Sequence, residues 1–159
     1  MEKPSGQAEG RTRHKSFTYS TRLQRVADRA GTLSSEGKPP LRVASPPEFK
    51  GEASVWTPED LLVAALEACT MTTFISVAEK NGTAIRDYQS SAEGQLEYSD
   101  GAFRFTRVVV RPRVELMPPA TEETARALFE KTHGTCFITN SVRCEVVIDP
   151  TVIIVPTVT

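Results

Sequence analysis

The sequence predicts an α+β domain in which an antiparallel sheet packs on one long buried helix. Three observations predict it. Residues 57–82 form a long apolar stretch with the start and stop signals of a helix. Residues 84–98 and 102–116 read as strands joined at Ser99-Asp100-Gly101, a hairpin signal. The full order is strands, helix, hairpin, helix, strand, which is the α+β pattern.

A chain of 159 residues fits one domain with a real hydrophobic core. The net charge of −1 leaves no electrostatic footprint for nucleic acid. Three cysteines are an odd count, which argues against a secreted disulfide framework. The N-terminus carries no apolar signal-peptide core. Unpaired thiols persist in a reducing compartment, so a cytoplasmic location is expected. The longest apolar stretch, Leu61 to Ala78, carries Glu67 at its centre together with Thr70, Thr72, Thr73 and Ser76. It is marginal in length for a bilayer, so it reads as a core helix and no membrane association is expected.

Residues 1–15 are polar and rich in Gly, Lys and Arg, and are expected to form a disordered tail before a single domain at 16–159. From Ser16, Phe17, Tyr19, Thr21 and Leu23 alternate onto one face, as in a strand. Ala30-Gly31 and Ser34-Ser35-Glu36-Gly37 read as turns, and Leu41–Ala44 as a short strand. Pro46-Pro47 and Gly51 mark 45–56 as a loop. Thr57 then caps the central helix, Pro58 takes its first position, and Glu59 and Asp60 suit the positive end of its dipole. Asn81-Gly82 ends it.

Val108-Val109-Val110 reads as strand covered on both faces, and Met117-Pro118-Pro119-Ala120 breaks the chain. Thr121 caps a second helix to about Lys131, with Ala125, Leu128 and Phe129 as its apolar stripe. A helical turn at Ile138–Val142 and a strand at Cys144–Ile148 follow, then Val152–Val155 as a last strand or a partner-contact arm. Phe17, Tyr19, Trp56, Phe74 and Phe137 are expected in the core or around an apolar pocket. One small sheet cannot cover a long helix that is apolar all round, so two copies are expected to pack their helices together.

Two thiols carry the chemical signal. Cys69 lies inside the central helix, and Cys136 follows the second helix. Free cysteine often only fills space in a core. Peroxide reduction by a thiol needs a thiolate, a cation that holds it in that form, and a second thiol to trap the sulfenic acid. Cys69 and Cys136 are candidates for the attacking and resolving thiols, with an arginine as the cation and Glu59 to orient it. Ten residues of helix rise roughly 15 Å, so Glu59 cannot touch Cys69 of the same straight helix. If both serve one site, the helix breaks or Glu59 comes from a second subunit. Two histidines are too few for a zinc site with these cysteines, and Cys144 reads as inert core. His133 could lower a thiol pKa but fits a surface position, and His14 falls in the tail.

The stretch TPEDLLVAALEACTMTTF resembles the signature of the OsmC/Ohr family, the osmotically inducible and organic hydroperoxide resistance proteins. In that family a Pro-Glu pair opens the central helix and the peroxidatic cysteine lies ten residues after the glutamate, as Pro58-Glu59 and Cys69 do here. THGTCFITNSV resembles the region of the second cysteine, matched by Cys136. DRAGTLSSEG resembles the hydroperoxide-resistance branch and makes Arg29 the peroxide-binding arginine, with Arg42 and Lys50 behind it. The resemblance covers roughly residues 16–149. It implies an intertwined homodimer with active sites at the subunit interface and a peroxidase that prefers organic hydroperoxides. It implies no metal or cofactor, and a dithiol, lipoylated-protein or thioredoxin-type reductant. A non-catalytic or redox-sensing module that binds an apolar small molecule in the interface pocket, and a structural dimer with no site, are the competing expectations.

Overall fold

A computed structural model describes residues 15–156, so the expected tail and His14 lie almost wholly outside the described residues. The described residues form two sheets and two α-helices. β1 (Arg22–Ala27), β2 (Ala30–Ser34) and β3 (Leu41–Ala44) make a small antiparallel sheet. A 3-10 turn at Pro47–Phe49 leads to α1 (Pro58–Lys80). The long hairpin β4 (Ile85–Ser99) and β5 (Ala102–Leu116) follows, then α2 (Glu122–Thr135), β6 (Glu145–Ile148) and β7 (Thr151–Ile154).

The boundaries of α1 follow its chemistry. Thr57 accepts from the Asp60 N–H while Asp60 returns a bond to the Thr57 N–H, a complete capping box. Asn81 caps the other end, and Gly82 at φ 68 takes the left-handed position that follows. The β4–β5 turn works the same way: Asp100 and Gly101 both have positive φ, as a two-residue hairpin needs.

Every second residue of β5 is buried, from Val108 through Val110, Pro112, Val114 and Leu116. α1 lies along this row. Leu66 joins Val108, Val110 and Val146 in one core cluster. Phe74, Val77 and Ala78 join Val114 and Leu116 in a second, closed by Ala125, Leu128 and Phe129 of α2. Phe74 stacks on Phe129 with ring centroids 4.2 Å apart. By length and composition α1 could cross a membrane, but here it is the spine of both clusters. Glu67 is tolerated on it because the Ser90 hydroxyl donates to Oε1 at 2.6 Å.

Several expectations are corrected. Ala30-Gly31 is not a turn but the start of β2; the reversal is at Asp28-Arg29, with Asp28 at φ 40. The first strand begins at Arg22, later than the alternation from Ser16 suggests. α2 runs one turn beyond Lys131, where the Thr132 and Thr135 hydroxyls bond back to carbonyls one turn earlier. Val109 is only half-buried, so that face of β5 is not fully covered. The expected antiparallel pairing is present in β1–β2–β3 and β4–β5, and β6 and β7 add to it in parallel with β5. α2 supplies the crossover that a parallel pair requires. β6 and β7 share one edge of β5 and break at Asp149-Pro150, level with Pro112, which has no N–H to donate.

Only five of the 23 residues of α1 are buried within one chain, so it is not covered on nearly all sides. All six residues of β1 are exposed. Of the five aromatics expected in a core, Phe74 is buried, whereas Phe17 (76 %), Tyr19 (89 %), Trp56 (48 %) and Phe137 (80 %) are exposed. Among the described residues nothing buries them, although Trp56 does line a cavity.

Candidate active site

Cys69 projects from the middle of α1, and Cys136 is the residue that caps α2. The packing of α2 on α1 brings the two together across 67 positions, with Sγ–Sγ at 2.7 Å. That is closer than two sulfurs sit without interacting and longer than a disulfide bond of about 2.05 Å. Both are free thiols, with Cys136 fully buried and Cys69 half-buried.

The two thiols are electrostatically unequal. Burial pushes Cys69 up, but donors around its sulfur outweigh this and bring it below an ordinary thiol. They are the Cys136 thiol, the Ile138 N–H, the Thr73 hydroxyl and the Phe137 N–H. Thr73 Oγ1 lies 3.8 Å from Cys69 Sγ, one helical turn on. Cys136 moves the other way: burial raises it, and its bond to the Cys69 sulfur raises it further. The pair is therefore biased so that Cys69 ionises before Cys136, with the Cys136 thiol donating to the Cys69 sulfur.

The two charged residues expected at the site are not brought to the thiols within one chain. Arg29 sits in the β1–β2 reversal, and its Nη1–H donates to the Phe49 carbonyl at 2.6 Å. Its own carbonyl accepts from the Ser45 N–H, so the 45–52 loop and Arg29 hold each other. Glu59 sits in the first turn of α1, with Oε2 buried and unpartnered. No ion pair joins Arg29 to Glu59 among the described residues. The alternatives are placed elsewhere: Arg42 pairs with Glu52 at 2.7 Å, and Lys50 closes the 3-10 turn at φ 60. α1 is unbroken from Pro58 to Lys80, so a helix break cannot bring Glu59 to Cys69.

Glu59 faces a cavity of about 990 Å³ walled by Trp56, Val63, Glu67, Phe103 and Phe105. Cys69 does not line it, so one chain holds the thiols and this cavity at separate places along α1. His133 is tied away from the thiols by its Nε2–H, which donates to the Val146 carbonyl at 2.9 Å. Cys144 packs at the rim of the Leu66 cluster. Sequence reasoning missed Thr73, Thr139 and the Phe137 and Ile138 amides. Thr73 lies four residues after Cys69, a spacing that would have pointed to it; the amides carry no sequence signal.

Comparison with known proteins identifies the family. A model of the OsmC-like protein family matches residues 51–151. A Bacillus subtilis (strain 168) protein named YmaD is 26 % identical over 116 residues, covering 71 % of this chain and 77 % of its own. Among solved structures, an OsmC-like protein of unknown function from Vibrio cholerae O1 superposes with a TM-score of 0.78 at 27 % identity, over 85 % of this chain and 99 % of that one. A putative organic hydroperoxide resistance protein from the same organism, with captopril bound in one of its active sites, has a TM-score of 0.68 at 25 % identity, over 89 % and 96 %. The family match spans the central helix and both thiols of the pair, and on it this chain belongs to the OsmC-like proteins, the family that includes the organic hydroperoxide resistance proteins.

Proposed function

We propose that the protein is a thiol-dependent peroxidase that reduces organic hydroperoxides in defence against oxidative stress. The observation that carries this reading is the 2.7 Å approach of Cys69 and Cys136. Cys69 thiolate attacks the peroxide: an S–O bond forms, the O–O bond breaks, and the alkoxide leaves as an alcohol after taking a proton. Cys136 then displaces hydroxide from the Cys69 sulfenic acid to close a disulfide and release water. A dithiol, a lipoylated protein or a thioredoxin-type partner reduces the disulfide, and a reducing cytoplasm suits the three free thiols.

Arg29 binds the peroxide and Glu59 orients it, both from a second copy of the chain. The unbroken α1 supports this, because one chain keeps Glu59 roughly 15 Å of helix from Cys69. The exposed apolar residues Leu23 and Val26 of β1 and the uncovered flank of α1 support a homodimer that buries them.

The test is a thiol-blocked peptide map of reduced protein after one equivalent of cumene hydroperoxide, with hydrogen peroxide in parallel. A rapid Cys69–Cys136 disulfide, faster with the organic peroxide, is expected. Thiols oxidised no faster than in unfolded protein overturn the reading. The aromatic-walled cavity favours one second reading, a binding module for an apolar small molecule, which a copurified ligand without peroxide turnover would support.

A further inference from the structure

The resolving step poses a physical problem. Cys136 has no exposed surface, and burial opposes the thiolate it needs in order to attack. The titratable group facing it is Cys69, whose thiolate charge also opposes ionisation of Cys136. Oxidation of Cys69 to the sulfenic acid removes that charge and frees the Cys136 proton from its bond to Cys69. The burial remains.

One residue answers it. Thr139 opens the 3-10 turn three positions after Cys136, and the turn is held by the Asn140 N–H donating to the Cys136 carbonyl at 3.0 Å. The Thr139 hydroxyl is buried beside the Cys136 sulfur and completes no well-aligned hydrogen bond among the described residues in the dithiol state. A buried polar group without a partner calls for an explanation, and a partner present only in another chemical state is one. We propose that the Thr139 hydroxyl is the donor that holds the Cys136 thiolate while Cys136 closes the disulfide. The role rests on the peroxidase reading of the pair. The Thr139 hydroxyl and backbone N–H both favour the charged form of Cys136, against the burial.

In the step itself, Cys136 Sγ bonds to Cys69 Sγ and the Cys69 S–O bond breaks. The Cys69 sulfur is reduced, the Cys136 sulfur is oxidised, and hydroxide leaves as water with the Cys136 proton. No other reagent enters. Thr139 favours the attacking thiolate and gives up its bond as the charge moves to the leaving oxygen.

The first test needs no peroxide. In a Cys69→Ser, Cys144→Ala background, Cys136 is the sole thiol, and its ionisation is followed by ultraviolet thiolate absorbance. Thr139→Val is expected to move the midpoint to higher pH, and Thr139→Ser to restore it. An unmoved midpoint in folded Thr139→Val protein overturns the proposal. The second test keeps all three cysteines and adds one equivalent of cumene hydroperoxide. Thr139→Val is expected to lose the first thiol at the normal rate, close the disulfide several-fold more slowly and accumulate Cys69 sulfinic acid. Closure at the unsubstituted rate overturns the proposal. Absence of any disulfide in the unsubstituted protein sinks the peroxidase reading, and with it the role in closure, while the titration still decides whether Thr139 serves Cys136.

Discussion

The Sγ atoms of Cys69 and Cys136 lie 2.7 Å apart, although one belongs to the middle of α1 and the other to the cap of α2. The contact depends on the packing of two helices, with Phe74, five residues after Cys69, stacked on Phe129, seven residues before Cys136. It places the two sulfurs where a disulfide can close with little movement, and it makes them chemically unequal.

That inequality predicts different fates for the two serine variants. Cys69→Ser abolishes peroxide turnover. Cys136→Ser still consumes the first equivalent of peroxide but stops at a Cys69 sulfenic acid, which further peroxide converts to sulfinic acid. Intact-mass measurement after each equivalent distinguishes the two. Full turnover by Cys69→Ser removes the assignment.

The pH dependence follows from the directions of the two shifts. Cys69 is lowered, so its alkylation by iodoacetamide reaches half its maximum at a pH below that of an unfolded thiol. Cys136 is raised, so it reacts only at higher pH. Thr73→Val removes a donor and moves the Cys69 midpoint up, and Thr73→Ser restores it. For stability the signs are opposite. Between the lowered Cys69 pKa and the unfolded value the unfolded chain binds more protons, so the Cys69 contribution grows with pH and is lost as pH falls through that window. The Cys136 contribution is present below the unfolded pKa and is lost as pH rises through its raised value. Identical alkylation profiles for the two thiols contradict the asymmetry.

Removing the guanidinium tests the second-copy site. Arg29→Ala is expected to lower kcat/KM for cumene hydroperoxide by about 10²-fold, the scale of one lost charge-stabilising donor. Gly51→Ala is expected to act on the same function from outside it, because a Cβ at Gly51 would overlap the Ser45 carbonyl and displace the loop that anchors Arg29. Steady-state kinetics on both variants, beside their thermal melts, separates loss of the loop from loss of the fold. Unchanged kcat/KM in Arg29→Ala removes Arg29 from the reaction.

Phe74→Ala deletes a fully buried ring from the larger core cluster and from its stack on Phe129. A loss of about 3–5 kcal/mol in urea unfolding is expected. A loss under about 1 kcal/mol would mean that the site collapses around the missing ring.

The sequence by itself determined what local chemistry controls. The Thr57 cap, Asn81-Gly82 and Asp100-Gly101 act on residues within one turn of themselves, so the bounds of α1 and of the β4–β5 hairpin could be read directly. The Pro58-Glu59 and Cys69 spacing, with Cys136 downstream, was enough for the family. Tertiary structure decided what depends on distant partners. Ala30-Gly31 has turn-like residues but enters a strand because β1 and β3 offer hydrogen bonds on both sides. β6 and β7 run parallel to β5 because α2 carries the chain back before they pair. Only the packing of α2 on α1 brings the two thiols into contact. Which sulfur ionises first then depends on the Phe137, Ile138 and Thr139 amides, the Thr73 and Thr139 hydroxyls and the depth of burial, and only the fold sets which of these groups reach which sulfur.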